Sequence, residues 1–122
     1  MPRPEGVPRP TRVAVEARAS SEFPDANLAE IMAVLDRYGV QPHETEIRRV
    51  HMALLKLSEG RRDVLESGVE TAKADYRDVL AYAEYPAEMA LPALKADGSN
   101  AKAIDLARRA DKKQYRDWLN GR

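Results

Sequence analysis

The chain has 122 residues, enough for one domain with one core, and 43% of them are apolar against 33% charged, a balance that excludes a wholly disordered or transmembrane chain. It contains no cysteine, which excludes a disulfide framework, a thiolate nucleophile and a cysteine-ligated zinc site together, and makes a reducing cytoplasm the simple expectation. The formal charge is zero, but residues 1–24 carry +1, residues 25–99 carry −5 and residues 100–122 carry +4, so an acidic body precedes a basic end.

Five of the eight prolines fall within residues 1–24, where each removes a backbone donor and biases its neighbour away from helix. Without a sustained hydrophobic period, residues 1–22 read as a disordered tail in which Arg12 to Ala19 form at most a turn or two of helix. No apolar run follows Arg3 and Arg9, and no uncharged apolar stretch of about eighteen residues exists, so neither export nor a membrane span is expected.

Residues 23–122 read as a single helical domain. Leu28, Ile31, Leu35 and Tyr38 fall at spacings of 3, 4 and 3, one stripe on a helix over 25–38 that Gly39 stops. Pro42 suits a first helical position with Glu44 in the first turn, and Ile47, Val50, Leu54 and Leu57 repeat the stripe as far as Ser58 and Gly60. Met52 and Leu55 form a second apolar flank on this helix, which a single partner helix cannot cover; another helix or another subunit must.

Asp63 with Glu66 reads as a capping box, and Leu65, Val69, Ala72, Tyr76, Val79 and Ala83 continue a third stripe until Pro86. Three stripes joined by loops of about four residues predict an all-α fold, a small antiparallel helical bundle with its core in 25–85. Beyond Pro86 the expectation is a short helix broken by Pro92, then Gly98, Ser99 and Asn100 as loop and cap, and a basic C-terminal helix over 101–119. The pentapeptide Tyr76 to Leu80 is echoed by Tyr115 to Leu119, but the likeness extends no further and is read as coincidence.

The only stretch that invites a chemical reading is HETEIRRVH, residues 43–51, which holds both histidines. A zinc-binding H-E-x-x-H places two imidazoles one helical turn apart on one face. His43 and His51 are eight apart, which on a helix means about 12 Å along the axis and about 80° of rotation, so they do not share an ion. Glu44 with Arg48 and Glu46 with Arg49 are ordinary helical ion pairs. His51, at the edge of a buried stripe, reads as a satisfied structural histidine. None of the five serines lies in G-x-S-x-G or S-x-x-K, and the six glycines read as helix stops and loop residues without a phosphate-binding pattern. Glu66 with Glu70 and Glu84 with Glu88 are solvated faces rather than half of a magnesium site. No catalytic residue, metal or cofactor is expected.

The phrases Leu35 to Gly39, Arg49-Val-His-Met-Ala-Leu-Leu-Lys-Leu-Ser-Glu-Gly60 and Asp75-Tyr-Arg-Asp-Val-Leu-Ala-Tyr-Ala-Glu-Tyr-Pro86 resemble a group of short bacterial helical proteins with similar LKLS-x-G and YRDVLA-x-AEYP phrases. The resemblance covers about residues 28–90. It implies a bacterial origin and a compact helical hairpin, and it brings no site and no activity.

Two functions are expected in this order. The first is a small cytoplasmic protein-interaction module, acting on a protein partner or by self-association through Met52, Leu55 and Trp118. The second is nucleic-acid association through Arg108, Arg109, Lys112, Lys113 and Arg116, cations that gather along one side of the last helix; the acidic body opposes this second reading. The apolar side of that helix is interrupted by Asp111, too thin a stripe to hold by burial alone, so docking on the acidic body of the same chain or of a second subunit is expected, with Trp118 partly buried.

Overall fold

The computed structural model describes residues 9–91 and 101–121. Among them the chain is all-α, with helices α1 (Arg12–Glu22), α2 (Leu28–Leu35), α3 (Ile47–Ser58), α4 (Arg62–Glu84), α5 (Pro86–Met89) and α6 (Ala101–Leu119). None of these is long and apolar enough to cross a membrane.

Helix α1 corrects the expectation of a disordered tail over 1–22. The Thr11 hydroxyl accepts the Ala14 N–H at 3.2 Å and caps it. Val15, Ala19 and Phe23, each four apart, are all buried, and the helix packs on α2 and α3. Arg12 adds two parallel bonds of 2.9 Å to Asp36, just beyond α2. Two buried residues in the eleven of α1, with Phe23 just beyond its end, do not sustain a helix alone, and their spacing acquires meaning only when another helix covers them. Residues 1–8 lie outside the described residues.

Helix α2 is shorter than the expected 25–38. Asn27 caps it by accepting the Glu30 N–H at 3.3 Å. Ile31, Leu35 and Tyr38 are buried as their spacing requires, while Leu28, at the first helical position, is 39% exposed. Gly39 has φ 109°, and a side chain there would meet Ile47 at 3.0 Å, so this turn demands glycine on two grounds.

Helix α3 begins at Ile47 and not near Pro42, so Glu44 does not occupy a first helical turn. The residue before the helix, Glu46, is left-handed at φ 55° and offers no side-chain cap. Eight of the twelve residues of α3 are buried, because α1 and α4 both pack on it. Met52 and Leu55 are 2% and 0% exposed; the flank read as an interaction surface is core of this chain.

Helix α4 begins without the expected capping box, since no side chain caps it and Asp63 instead meets Arg61 at 3.0 Å. Leu65, Val69, Ala72, Val79 and Ala83 are buried as expected, with Tyr76 half-buried. The helix is broken at Asp75, which has extended backbone (φ −157°, ψ 101°). The Asp75 carboxylate accepts the Arg77 N–H at 3.0 Å and caps the second half. Gly68 is a further departure, since it lies inside α4 and not at a stop or loop. A Cβ there would sit 2.9 Å from Leu54 Cδ2, so its lack of a side chain lets α3 and α4 approach closely.

Helix α5 is a single turn that starts at Pro86; Pro86, Ala87 and Glu88 are half-buried and none of its side chains is fully buried. Residues 92–100, including the expected break at Pro92 and the cap at Asn100, lie outside the described residues. Helix α6 has the expected 101–119 bounds and packs on α5 and α4.

Candidate functional site

The HETEIRRVH stretch is a turn followed by the start of α3, and three of its polar residues, Glu44, Arg49 and His51, are buried. His51 is fully buried. Its Nε2–H donates to the Tyr38 carbonyl at 3.1 Å and its Nδ1 accepts from Arg48 at 3.3 Å, a pattern that specifies the neutral Nε2–H tautomer. Burial pushes its pKa below the ordinary histidine value. His43 is exposed, with Nε2 3.9 Å from Glu44.

Glu44 is the carboxylate that shapes this turn. It is buried, and one oxygen accepts the N–H groups of Gly39, Val40 and Gln41 at 2.9, 3.0 and 3.3 Å. The other accepts from Lys73 of α4 at 2.8 Å, and Lys73 also donates to the Arg37 carbonyl at 2.9 Å. The Lys73 hydrogen bond, followed by those backbone N–H groups, lowers the Glu44 pKa to about 2 despite burial. The residue read as a first-turn charge therefore ties the α2–α3 connection to α4. Among the described residues no three His, Asp or Glu side chains gather as metal ligands.

Beside this turn is an open cleft of about 450 Å³ lined by Arg9, Pro10 and residues 44–49. Arg48 and Arg49 in its lining are engaged. Arg49 bonds Glu84 through Nε at 2.8 Å and Nη2 at 2.6 Å and approaches Glu46 at 3.6 Å. Arg48 lies between His51 and Asp36.

Helix α6 gathers the remaining sequence candidates. Its inner face buries Ala107, Asp111 and Tyr115. Asp111, which interrupts the apolar stripe, is fully buried because it accepts the N–H groups of Ala87 and Glu88 at 2.8 and 3.0 Å and so caps α5. Half-buried Trp118 stacks on Tyr115 with centroids 6.0 Å apart, and the Arg18 guanidinium of α1 lies 4.4 Å from the indole. The partial burial expected of Trp118 is met inside its own chain.

The cations of α6 divide. Arg108 meets Glu88 at 3.0 Å, Arg109 meets Asp105 at 3.1 Å and Lys113 meets Asp117 at 2.8 Å. Lys112 is half-buried and Arg116 exposed. The outer face presents Ala103, Leu106 and Ala110, all exposed, at spacings of 3 and 4, with Leu106 58% exposed. Lys102, Arg109 and Lys113 flank them, all exposed.

Glu84 corrects the expectation of a solvated face, being 1% exposed and bonded to Arg49; Lys73 carries no expectation from sequence, Asp111 is expected there only to interrupt the stripe, and Glu44 is expected in another role. Asp111 alone left a usable signal, since Ala107 and Tyr115 lie four residues to either side of it on one face. An acid within such a stripe requires a donor close by.

Comparison with protein-family models, with curated proteins and with solved structures finds no match to this chain.

Proposed function

We propose that this protein is a small cytoplasmic, non-enzymatic interaction module that receives an acidic helical segment of a partner protein on the outer face of α6. The observation that supports this reading most is Leu106, well exposed between Ala103 and Ala110 on a helix whose inner face is already seated. Small residues on either side let a second helix approach closely, and Leu106 supplies an apolar anchor. Lys102, Arg109 and Lys113 complement acidic residues on the incoming helix; the exposed pairs that two of them make within α6 are worth little and exchange readily. Met52 and Leu55 have no part in this surface.

The test is cross-linking through lysine amines, with mass spectrometry, on the full chain in extracts of its host. A partner joined to Lys102 or Lys113 through an acidic helical segment, and lost in Leu106→Glu at unchanged melting temperature, supports the reading. Binding of generic duplex DNA at physiological salt, lost in Arg109→Glu, replaces it with nucleic-acid association through the same helix.

A further inference from the structure

Helices α5 and α6 are tied to one another more firmly than either is tied to the rest. Helix α5 has no fully buried side chain, only half-buried ones at Pro86, Ala87 and Glu88, so polar contacts weigh heavily in fixing its place. Those contacts come from α6: the Asp111 carboxylate receives the Ala87 and Glu88 N–H groups, and Arg108 meets Glu88.

The seat beneath α6 joins an apolar part, where Tyr115, Trp118 and Leu119 meet the core, to a polar part at Lys56. Tyr115 is 1% exposed, yet its hydroxyl has no hydrogen-bond partner among the described residues. Beside it Lys56 of α3 donates to the Ala83 carbonyl at 2.7 Å, its ammonium 5.9 Å from the Tyr115 ring. A buried hydroxyl left unpaired opposes docking, whereas in water it would be solvated. Only three of nineteen α6 residues are buried, against eight of twelve in α3. Undocked, α6 keeps its internal Asp105–Arg109 and Lys113–Asp117 pairs, which favour helix without a body to pack on.

We propose that α5 and α6 form an arm that opens as one unit from the α1–α4 core, with Asp111 as the coupling that makes the two helices leave together. Opening uncovers Lys56 and the main-chain carbonyl it holds, the polar part of the helix seat that α6 occupies when closed. This inference rests on the seating of α6 and not on the partner proposed for its outer face.

Ala87 and Glu88 lie in the first turn of α5, where no carbonyl of α5 itself receives their N–H groups. Their protection from hydrogen exchange therefore reads α6 docking directly. In native-state exchange on the full chain, the Ala87, Glu88 and α6 amides are expected to exchange together, at least about 10-fold faster than the slowest amides of α3 and α4. In Asp111→Asn the α5 and α6 amides are expected to exchange faster still, with α3 and α4 unchanged. Exchange of α5 and α6 at the single slow rate of α3 and α4 overturns the proposal. Should Asp111→Asn not fold, the wild-type chain decides. Trp118 fluorescence changing at lower urea than the far-ultraviolet ellipticity supports an opening arm, and coincident transitions overturn it.

Discussion

The Arg49 guanidinium of α3 grips the Glu84 carboxylate at the end of α4 through two bonds, Nε to Oε2 at 2.8 Å and Nη2 to Oε1 at 2.6 Å, with the two side chains 5% and 1% exposed. Thirty-five residues separate them in sequence. A buried pair of this kind is costly to break and inexpensive to replace, because removing one partner leaves the other charge desolvated. Glu84→Gln or Arg49→Met is expected to destabilise by about 3–5 kcal/mol, and the double replacement Arg49→Met with Glu84→Leu by clearly less. Urea unfolding of the three variants checks this; additive losses would contradict it.

Glu44 makes the fold acid-labile. Its folded-state pKa of about 2 lies below the ordinary value of 4.5, so its contribution is fully present above pH 4.5 and is lost as pH falls through about 2. Glu44→Gln is expected to be less stable than wild type at neutral pH, with the difference shrinking steadily below pH 4.5. Thermal melts at intervals of pH measure that convergence, and a constant gap would show that Glu44 acts through shape alone.

His51 contributes with the opposite ionisation. Burial lowers its pKa below the ordinary 6.5, so the folded state resists protonation and stability declines as pH falls below 6.5. Its NMR titration should show a midpoint below that value. Zinc calorimetry is expected to show no single tight site that His51→Ala removes, since both ring nitrogens are already hydrogen-bonded to protein groups.

Gly68 and Leu54 should be strongly coupled. Leu54→Ala alone is expected to cost about 2–5 kcal/mol. Gly68→Ala gains about 1 kcal/mol of helix propensity but forces its Cβ against Leu54, for a net loss of about 1 kcal/mol. With Leu54 cut back to alanine the obstruction is gone, and Gly68→Ala should then stabilise by about 1 kcal/mol. Equal effects in the two backgrounds would falsify the close approach of α3 and α4.

Helix α1 should be indispensable. Deleting residues 1–22 is expected to lower the melting temperature by many degrees. Val15→Asp, at a fully buried position, should be severely destabilising, whereas Val13→Asp, at 76% exposure, should change stability by less than about 0.5 kcal/mol. Comparable effects at the two positions would mean that α1 does not present its Val15 side to the core.

The sequence by itself determined the helical class, the bounds of α6, and the central buried positions of the stripes of α2, α3 and α4. Each rests on a spacing of three and four residues repeated locally, and covering such a stripe needs only some apolar neighbour. Tertiary structure alone decided which neighbours those were. Val15, Ala19 and Phe23 are too few to announce a helix, yet α1 packs on α3 and they join Met52 and Leu55 in one buried cluster, so that the flank read as surface is core. The polar contacts depended on it most. Arg49 finds Glu84, Lys73 finds Glu44 and Asp111 finds the start of α5 across separations of 35, 29 and 24 residues. A charge declares its sign in the sequence but not its partner, because at such distances along the chain only the packing of helices sets which donor reaches which acceptor.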